Sequence, residues 1–140
     1  MRPNSIVTFE KLYLGAMVIG VINGALNWNN AAAVLESDPN LAAMGSGFLI
    51  ISLIIGIGIS LLLWYFVARK ASTVAKWIVT IFFVLGLISF PFSIASLPTL
   101  NLAITLVTYA MQGYAVYLLF RPDANAWFAG EIQEIGDTFD

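Results

Sequence analysis

Long runs of apolar residues dominate the chain and recur at a length that fits a lipid bilayer. A helix needs about 20 mostly apolar residues to cross the ~30 Å hydrocarbon core. Four stretches qualify, at residues 12–28, 48–68, 77–97 and 100–120. They do not alternate apolar with polar residues, as the strands of a membrane barrel do. They are therefore predicted to be helices, whose backbone groups are satisfied within each segment.

The four predicted spans form a single domain that takes up the whole chain, residues 1–140. The predicted fold is all-α, a bundle of four transmembrane helices in up-down order. The first connection is long, and its AAAVLE segment is expected to form a short helix that ends before Asp38, because a residue followed by proline avoids helical geometry. The second connection is short and basic. The third is a turn at Pro98-Thr99, which makes the last two helices an antiparallel hairpin.

The tail at residues 122–140 begins with Pro122, a residue that can open a new helix. A broad apolar face would follow, made of Trp127, Phe128, Ile132 and Ile135. We expect a short amphipathic segment that lies at the membrane surface or docks on a partner. A solvated acidic tail is the alternative for the last eight residues.

Composition supports a membrane protein and disfavours an enzyme. The chain is 60% hydrophobic and 10% charged, whereas soluble domains are about 45–50% apolar and about 25% charged. The formal net charge of −2 gives no reason to expect nucleic acid as a partner. The sequence has no Cys and no His, which removes the usual thiolate and imidazole metal ligands and the commonest general base. We expect a non-catalytic protein without a metal or cofactor.

The cations of the chain all fall on one side of this four-span arrangement. Neither the connection at residues 29–47 nor that at 98–99 contains Lys or Arg. Because positively charged loops remain in the cytoplasm, both termini are predicted to be cytoplasmic. The six cations are Arg2, Lys11, Arg69, Lys70, Lys76 and Arg121.

An alternative makes the first span a cleaved signal peptide, with an apolar region at residues 14–26 and a cleavage site among the alanines at 31–33. Glu10 argues against this alternative, because the leader of a signal peptide is basic. Asn23 and Asn27 also interrupt the segment that would have to be apolar.

Small and polar residues recur at helical spacing inside three of the predicted spans. Such ridges permit close helix approach, and their amides and hydroxyls can bond across helices. The alternative is a polar lining for a small solute. The members are Gly20, Asn23, Gly24 and Asn27 in the first span, Ser52, Gly56 and Ser60 in the second, and Asn101, Thr105, Thr108 and Gln112 in the fourth.

Gln112 is the strongest of these polar groups, because it falls near the middle of its span. Its amide could bind a lipid headgroup or a quinone carbonyl. The alternative is a hydrogen bond to Asn23 or to a helix backbone. A stripe of this kind would be costly against lipid, so it is expected to face protein or water.

The opening FEKLYLG, at residues 9–15, and the closing VYLLFRPDANAWF, at residues 116–128, resemble uncharacterised four-span inner-membrane proteins of Gram-negative bacteria. The resemblance implies the four-span layout and a bacterial inner-membrane location, and it carries no activity. The chain is also similar to small multidrug carriers in size and span count. Those carriers place a glutamate well inside the first helix, whereas Glu10 stands at its margin, and this departure argues against transfer of their function.

Two classes of function are consistent with the sequence. The first is a non-catalytic membrane protein that acts through helix–helix contacts, either as an accessory subunit of a larger complex or as a homo-oligomer. The second is a small carrier or pore for a lipophilic or amphipathic solute, lined by Asn23, Asn27, Thr105, Thr108 and Gln112. A membrane module that binds a lipid or a quinone is a further alternative.

Overall fold

The computed structural model describes residues 2–94 and 99–130. The regular structure of these residues is entirely helical, which confirms the all-α prediction. The predicted turn at Pro98 and the apolar positions Ile132 and Ile135 lie outside the described residues. The helices are α1 (Asn4–Leu26), α2 (Trp28–Ser37), α3 (Pro39–Ala42), α4 (Gly45–Lys70), α5 (Thr73–Ile94), α6 (Thr99–Leu118) and α7 (Pro122–Ala129).

Several of these helices are long enough to cross a membrane. α1, α4 and the Thr73–Pro91 part of α5 each pass on length and apolar character. α6 and α7 pass together, as a pair bent by 61°. The described residues thus hold three candidate spans, or four if the bent pair is one span. The chain is therefore built as a membrane protein, and the four-span bundle stays a prediction.

The helices extend beyond the predicted apolar stretches. α1 begins at Asn4 rather than near residue 12, so the charged Glu10 and Lys11 lie within it. Both residue types favour helix, and the carboxylate of Glu10 is paired with Arg2 and Arg69. The short helix expected in the first connection is present as α2, which ends before the extended Asp38.

α4 ends at a residue with left-handed backbone geometry. Ala71 has φ of 48°, and its N–H, like that of Ser72, donates to the carbonyl oxygen of Phe66. These bonds satisfy a carbonyl of the last helical turn and reverse the chain into α5. Ala71 carries a Cβ in a region that usually favours glycine.

The hydrophobic core lies at one end of the molecule. α1 packs against α6 and α4, α4 against α5, and α5 against α6. The buried side chains gather where α1 and α5 begin and where α4 and α6 end. We call this region the packed end, and its cluster consists of Ile6, Phe9, Leu63, Val67, Ala68, Ala75, Val79, Ala115, Leu118, Leu119, Ala124 and Trp127.

The opposite half of the long helices, here called the distal half, is much more exposed. Only 6% of the residues in the most apolar 18-residue stretch of α4 are buried inside the structure. Large side chains such as Ile54 (64% exposed) and Ile88 (61% exposed) point away from the protein. Lipid or other apolar surface must cover these side chains, because water would not favour so large an apolar area.

Candidate functional site

The asparagines of the predicted stripes form one hydrogen-bonded network in the distal half. Asn27 Nδ2 donates to the carbonyl oxygen of Asn23 at 2.8 Å and to its Oδ1 at 3.0 Å. Asn101 Nδ2 in turn donates to Asn27 Oδ1. These bonds join α1 to α6, so two of the five predicted lining residues, Asn23 and Asn27, form a network with Asn101 that connects two helices.

The threonines of α6 satisfy their hydroxyls within their own helix. Thr105 Oγ1 donates to the carbonyl oxygen of Asn101 at 2.7 Å, and Thr108 Oγ1 donates to that of Ile104 at 2.9 Å. A hydroxyl bonded one turn back presents its methyl group and little polarity to its surroundings. The structure therefore does not bring the five predicted lining residues together in one channel.

The small-residue ridges of α1 and α4 lie on exposed faces. Gly20, Gly24, Ser52 and Gly56 are all exposed. A Cβ built on Gly20, Gly24 or Gly56 would meet no atom of the described residues within 4 Å. These ridges do not mediate the contacts that the described helices make with one another.

Ser60 and Gln112 occupy a different place, at a cavity of about 300 Å³ among α1, α4, α5 and α6. We call it the central cavity. Its polar side chains are Tyr13, Ser60, Tyr109 and Gln112. Its apolar side chains are Leu63, Val79, Phe82, Phe83 and Val116. Leu63 and Val79 also belong to the core cluster, which places the cavity next to the packed end.

Glycines let the aromatic walls of this cavity approach the neighbouring helix. Tyr109 Oη donates to the carbonyl oxygen of Gly86 at 3.1 Å, and a Cβ on Gly86 would lie 3.2 Å from that hydroxyl. A Cβ on Gly113 would lie 3.1 Å from the ring of Phe83. The Tyr109 ring also packs on Phe90 at a centroid distance of 4.9 Å. α5 and α6 therefore contact each other through aromatic rings that pack against glycines of the facing helix.

Most residues of this site could not be singled out from the sequence. Tyr13, Phe82 and Phe83 belong to apolar runs in which aromatic residues are common, so nothing in the pattern separates them. The one sequence feature that points to the site is that Gly86 and Gly113 lie opposite aromatic residues of the facing helix. This feature can be recognised only when the alignment of the two helices is known.

The packed end carries the charges. Glu10 accepts from Arg2 at 2.5 Å and from Arg69 at 3.3 Å. Lys76 is 6% exposed. Its Nζ donates to Asn125 Oδ1 at 2.9 Å and lies 4.2 Å from the centre of the Phe120 ring. Four helices thus bring their charged or amide groups to one region.

Asp123 of α7 binds the start of α1. Its carboxylate accepts from the Ser5 hydroxyl at 2.8 Å and from the Ser5 backbone N–H at 3.2 Å. Burial alone would raise the pKa of Asp123, but the bonds from Ser5 and the charge of Arg121 outweigh it and lower the pKa below its ordinary value. The carboxylate caps a helix whose own N-cap, Pro3, provides no side-chain bond.

The described residues contain no group of three or more acidic side chains placed to hold a metal ion. Comparison with models of protein families, with curated proteins and with solved structures gave no match. The resemblance of the two chain ends to four-span inner-membrane proteins stays a prediction. Function is therefore argued from the geometry of the chain alone.

Proposed function

We propose that this chain is a non-catalytic membrane protein that acts through helix–helix contacts, as a subunit of a larger complex or as a homo-oligomer. The observation that carries the proposal is the open small-residue ridge on α4. Ser52 and Gly56 are exposed, and a Cβ on Gly56 would meet open space in the described structure. Small residues at this spacing allow another helix to approach closely in a membrane.

The second ridge, on α1, supports the same proposal. Gly20 and Gly24 are exposed, and a Cβ on either would meet no atom of the described residues within 4 Å. At 100° per residue these glycines lie within about 100° of Asn23 and Asn27 on α1, so the open ridge borders the contact that Asn27 makes with α6. Small residues at this position permit a helix of another subunit to approach α1 beside α6.

We propose a bacterial inner-membrane location with both termini in the cytoplasm. The supporting observation is the distribution of charge: Arg2, Arg69, Lys76 and Arg121 all lie at the packed end. The first connection, at the distal ends of α1 and α4, contains Glu36 and Asp38 but no cation. This asymmetry is the one that orients membrane proteins.

The test is a matched pair of substitutions on α4. Gly56→Leu places a large side chain on the ridge, and Gly58→Leu places the same side chain about 200° around the helix. Both glycines have open space beside them in the described structure, so neither change should disturb the fold. Native mass spectrometry after extraction in mild detergent should show an assembly that Gly56→Leu dissociates and Gly58→Leu leaves intact.

The mass of the assembly distinguishes a second copy of the chain from another subunit. A lone monomer at native expression, or equal behaviour of the two variants, would contradict the proposal.

A further inference from the structure

The central cavity is a concave site to which α1, α4, α5 and α6 all contribute. Its volume of about 300 Å³ lies at the lower end of the ~300–1,000 Å³ range of small-molecule sites. Such sites are mostly apolar and hold a few polar groups that orient the ligand. The central cavity has that composition, and it is separate from the outward ridges of α1 and α4.

Gln112 is the polar group of this cavity that the described protein leaves without a partner. The Tyr109 hydroxyl is bonded to Gly86, and the hydroxyls of Tyr13 and Ser60 lie close enough to interact with each other. The Gln112 amide offers two N–H donors and a carbonyl acceptor, and no described residue bonds any of them. In apolar surroundings an unbonded amide is costly, so a molecule that supplies a carbonyl or hydroxyl would bind there favourably.

The rest of the lining defines the other features of such a molecule. No charged side chain of the described residues lines the cavity, so a charged ligand would enter without a counter-ion. Phe82 and Phe83 form an aromatic wall beside Leu63 and Val116. Aromatic walls favour a flat, apolar ring system, which can stack or meet them edge to face.

We propose that the central cavity binds one neutral amphipathic molecule, with its carbonyl or hydroxyl group on the Gln112 amide and its apolar ring body against Phe82 and Phe83. Two sources have this chemistry: a lipid-soluble compound with a long tail and a small aromatic solute without one. The proposal does not depend on association through α4, because the cavity lies among helices of a single chain.

The test uses the full chain in phospholipid nanodiscs and 2-methyl-1,4-naphthoquinone as the probe. 2-Methylnaphthalene is the reference compound, because it has the same rings without carbonyl groups. The chain has no Cys, so the quinone cannot add to a thiol. Calorimetric titration, corrected with protein-free nanodiscs, should show saturable one-to-one binding of the quinone that is tighter than binding of the reference compound.

Gln112→Leu should weaken binding of the quinone by about tenfold, the effect of one lost hydrogen bond, and should leave the reference compound unchanged or bound more tightly. Thr108→Val is the matched control, because Thr108 lies one turn away and its hydroxyl is bonded to Ile104. It should bind the quinone as the unmodified chain does. Unchanged melting temperatures would show that both variants are folded.

Absence of saturable binding above the protein-free nanodiscs would overturn the proposal. So would quinone binding that Gln112→Leu does not weaken. A quinone with an isoprenoid tail then identifies the source: tighter binding than the tailless probe supports a lipid-soluble ligand, and equal binding supports a small solute. Neither outcome bears on whether Gly56→Leu dissociates an assembly, so this proposal and the proposed function fail separately.

Discussion

At the scale of single residues, Asp123 connects two parts of the chain that are far apart in sequence. Its carboxylate holds the hydroxyl and the backbone N–H of Ser5 and lies 3.9 Å from Arg121. The N–H groups at a helix start have no partner within the helix. The Asp123 carboxylate of α7 therefore acts as an N-cap for α1, although it comes from a different helix.

Stability should depend on pH through this carboxylate. Its pKa in the folded protein lies below the ordinary value of 3.8, so its bonds stabilise the fold above that pH and this contribution disappears as pH falls through the lowered pKa. As pH is lowered from about 5 to about 2.5, the melting temperature in detergent should fall more steeply for the unmodified chain than for Asp123→Asn.

The difference should be small, below about 1 kcal/mol, because the Asp123 side chain is 39% exposed. Ser5→Ala provides the control, since it removes the hydroxyl donor and should flatten the pH profile in the same direction. Identical profiles for all three proteins would show that the carboxylate is not responsible.

The polar residues of one helical stripe illustrate what a sequence can and cannot predict. Thr105, Thr108 and Gln112 follow one helical stripe in the sequence. In the structure the threonines return their hydroxyls to their own helix, whereas Gln112 reaches the central cavity. Spacing places residues on a face, but the choice between a local and a distant hydrogen bond depends on side-chain length and on the neighbouring helix.

At the scale of elements, α7 holds the packed end together. Pro122 begins it and Gly130, with φ of 82°, ends it. Trp127 is 7% exposed within the core cluster, and its Nε1 donates to the carbonyl oxygen of Val67 in the last turns of α4. The predicted amphipathic segment is therefore docked on its own chain over these residues.

Loss of the Trp127 side chain should release α7. Trp127→Ala removes a large buried ring and its bond to α4, and we expect it to lower the free energy of unfolding by about 3–5 kcal/mol. Unfolding in mixed micelles measures this change. Trp77→Ala makes the same substitution at a site that is 52% exposed and should have a much smaller effect. Equal losses would mean that burial at the packed end does not account for the stability.

The lengths of elements were harder to predict than their existence. The apolar runs predicted the core of α4 well, because nothing charged interrupts residues 48–68. The predicted first span starts near residue 12, whereas α1 begins at Asn4, because Glu10 and Lys11 lower the hydropathy there without ending the helix. Hydropathy records the preference for lipid, whereas the helix continues wherever its backbone bonds and ion pairs can be satisfied.

At the scale of the whole molecule, charge and packing are concentrated at the same end. The packed end holds the core cluster and the ion pairs of Glu10, whereas the distal half depends on the asparagine network and on its surroundings. This asymmetry combines with the charge rule to predict which side faces the cytoplasm.

Cysteine labelling can test the orientation directly, because the natural chain contains no Cys. Asn40→Cys lies in α3 at the distal end, and Thr73→Cys lies at the start of α5 at the packed end; both positions are exposed. In intact spheroplasts a membrane-impermeant maleimide should label Asn40→Cys and not Thr73→Cys. Inside-out vesicles should give the opposite pattern, and the reverse result in both preparations would mean that the termini face outward.

The fold class followed from the sequence because bilayer thickness limits the length of apolar runs. The central cavity did not follow, because it depends on how four helices align. Tyr13 and Ser60 are separated by most of two helices and the whole first connection, so no local pattern relates them.

The network of Asn27 and Asn101 also determines the order in which the chain can be assembled. It joins α1 to α6, the earliest and the latest in sequence of the long helices in the described residues, and α1 makes its most extensive contacts with α6. Until α6 has entered the membrane, Asn27 has its bonds with Asn23 and Asn30 but lacks the bond from Asn101. α6 must therefore be synthesised before α1 can make these contacts, and a chain truncated before residue 101 would leave α1 without its main partner.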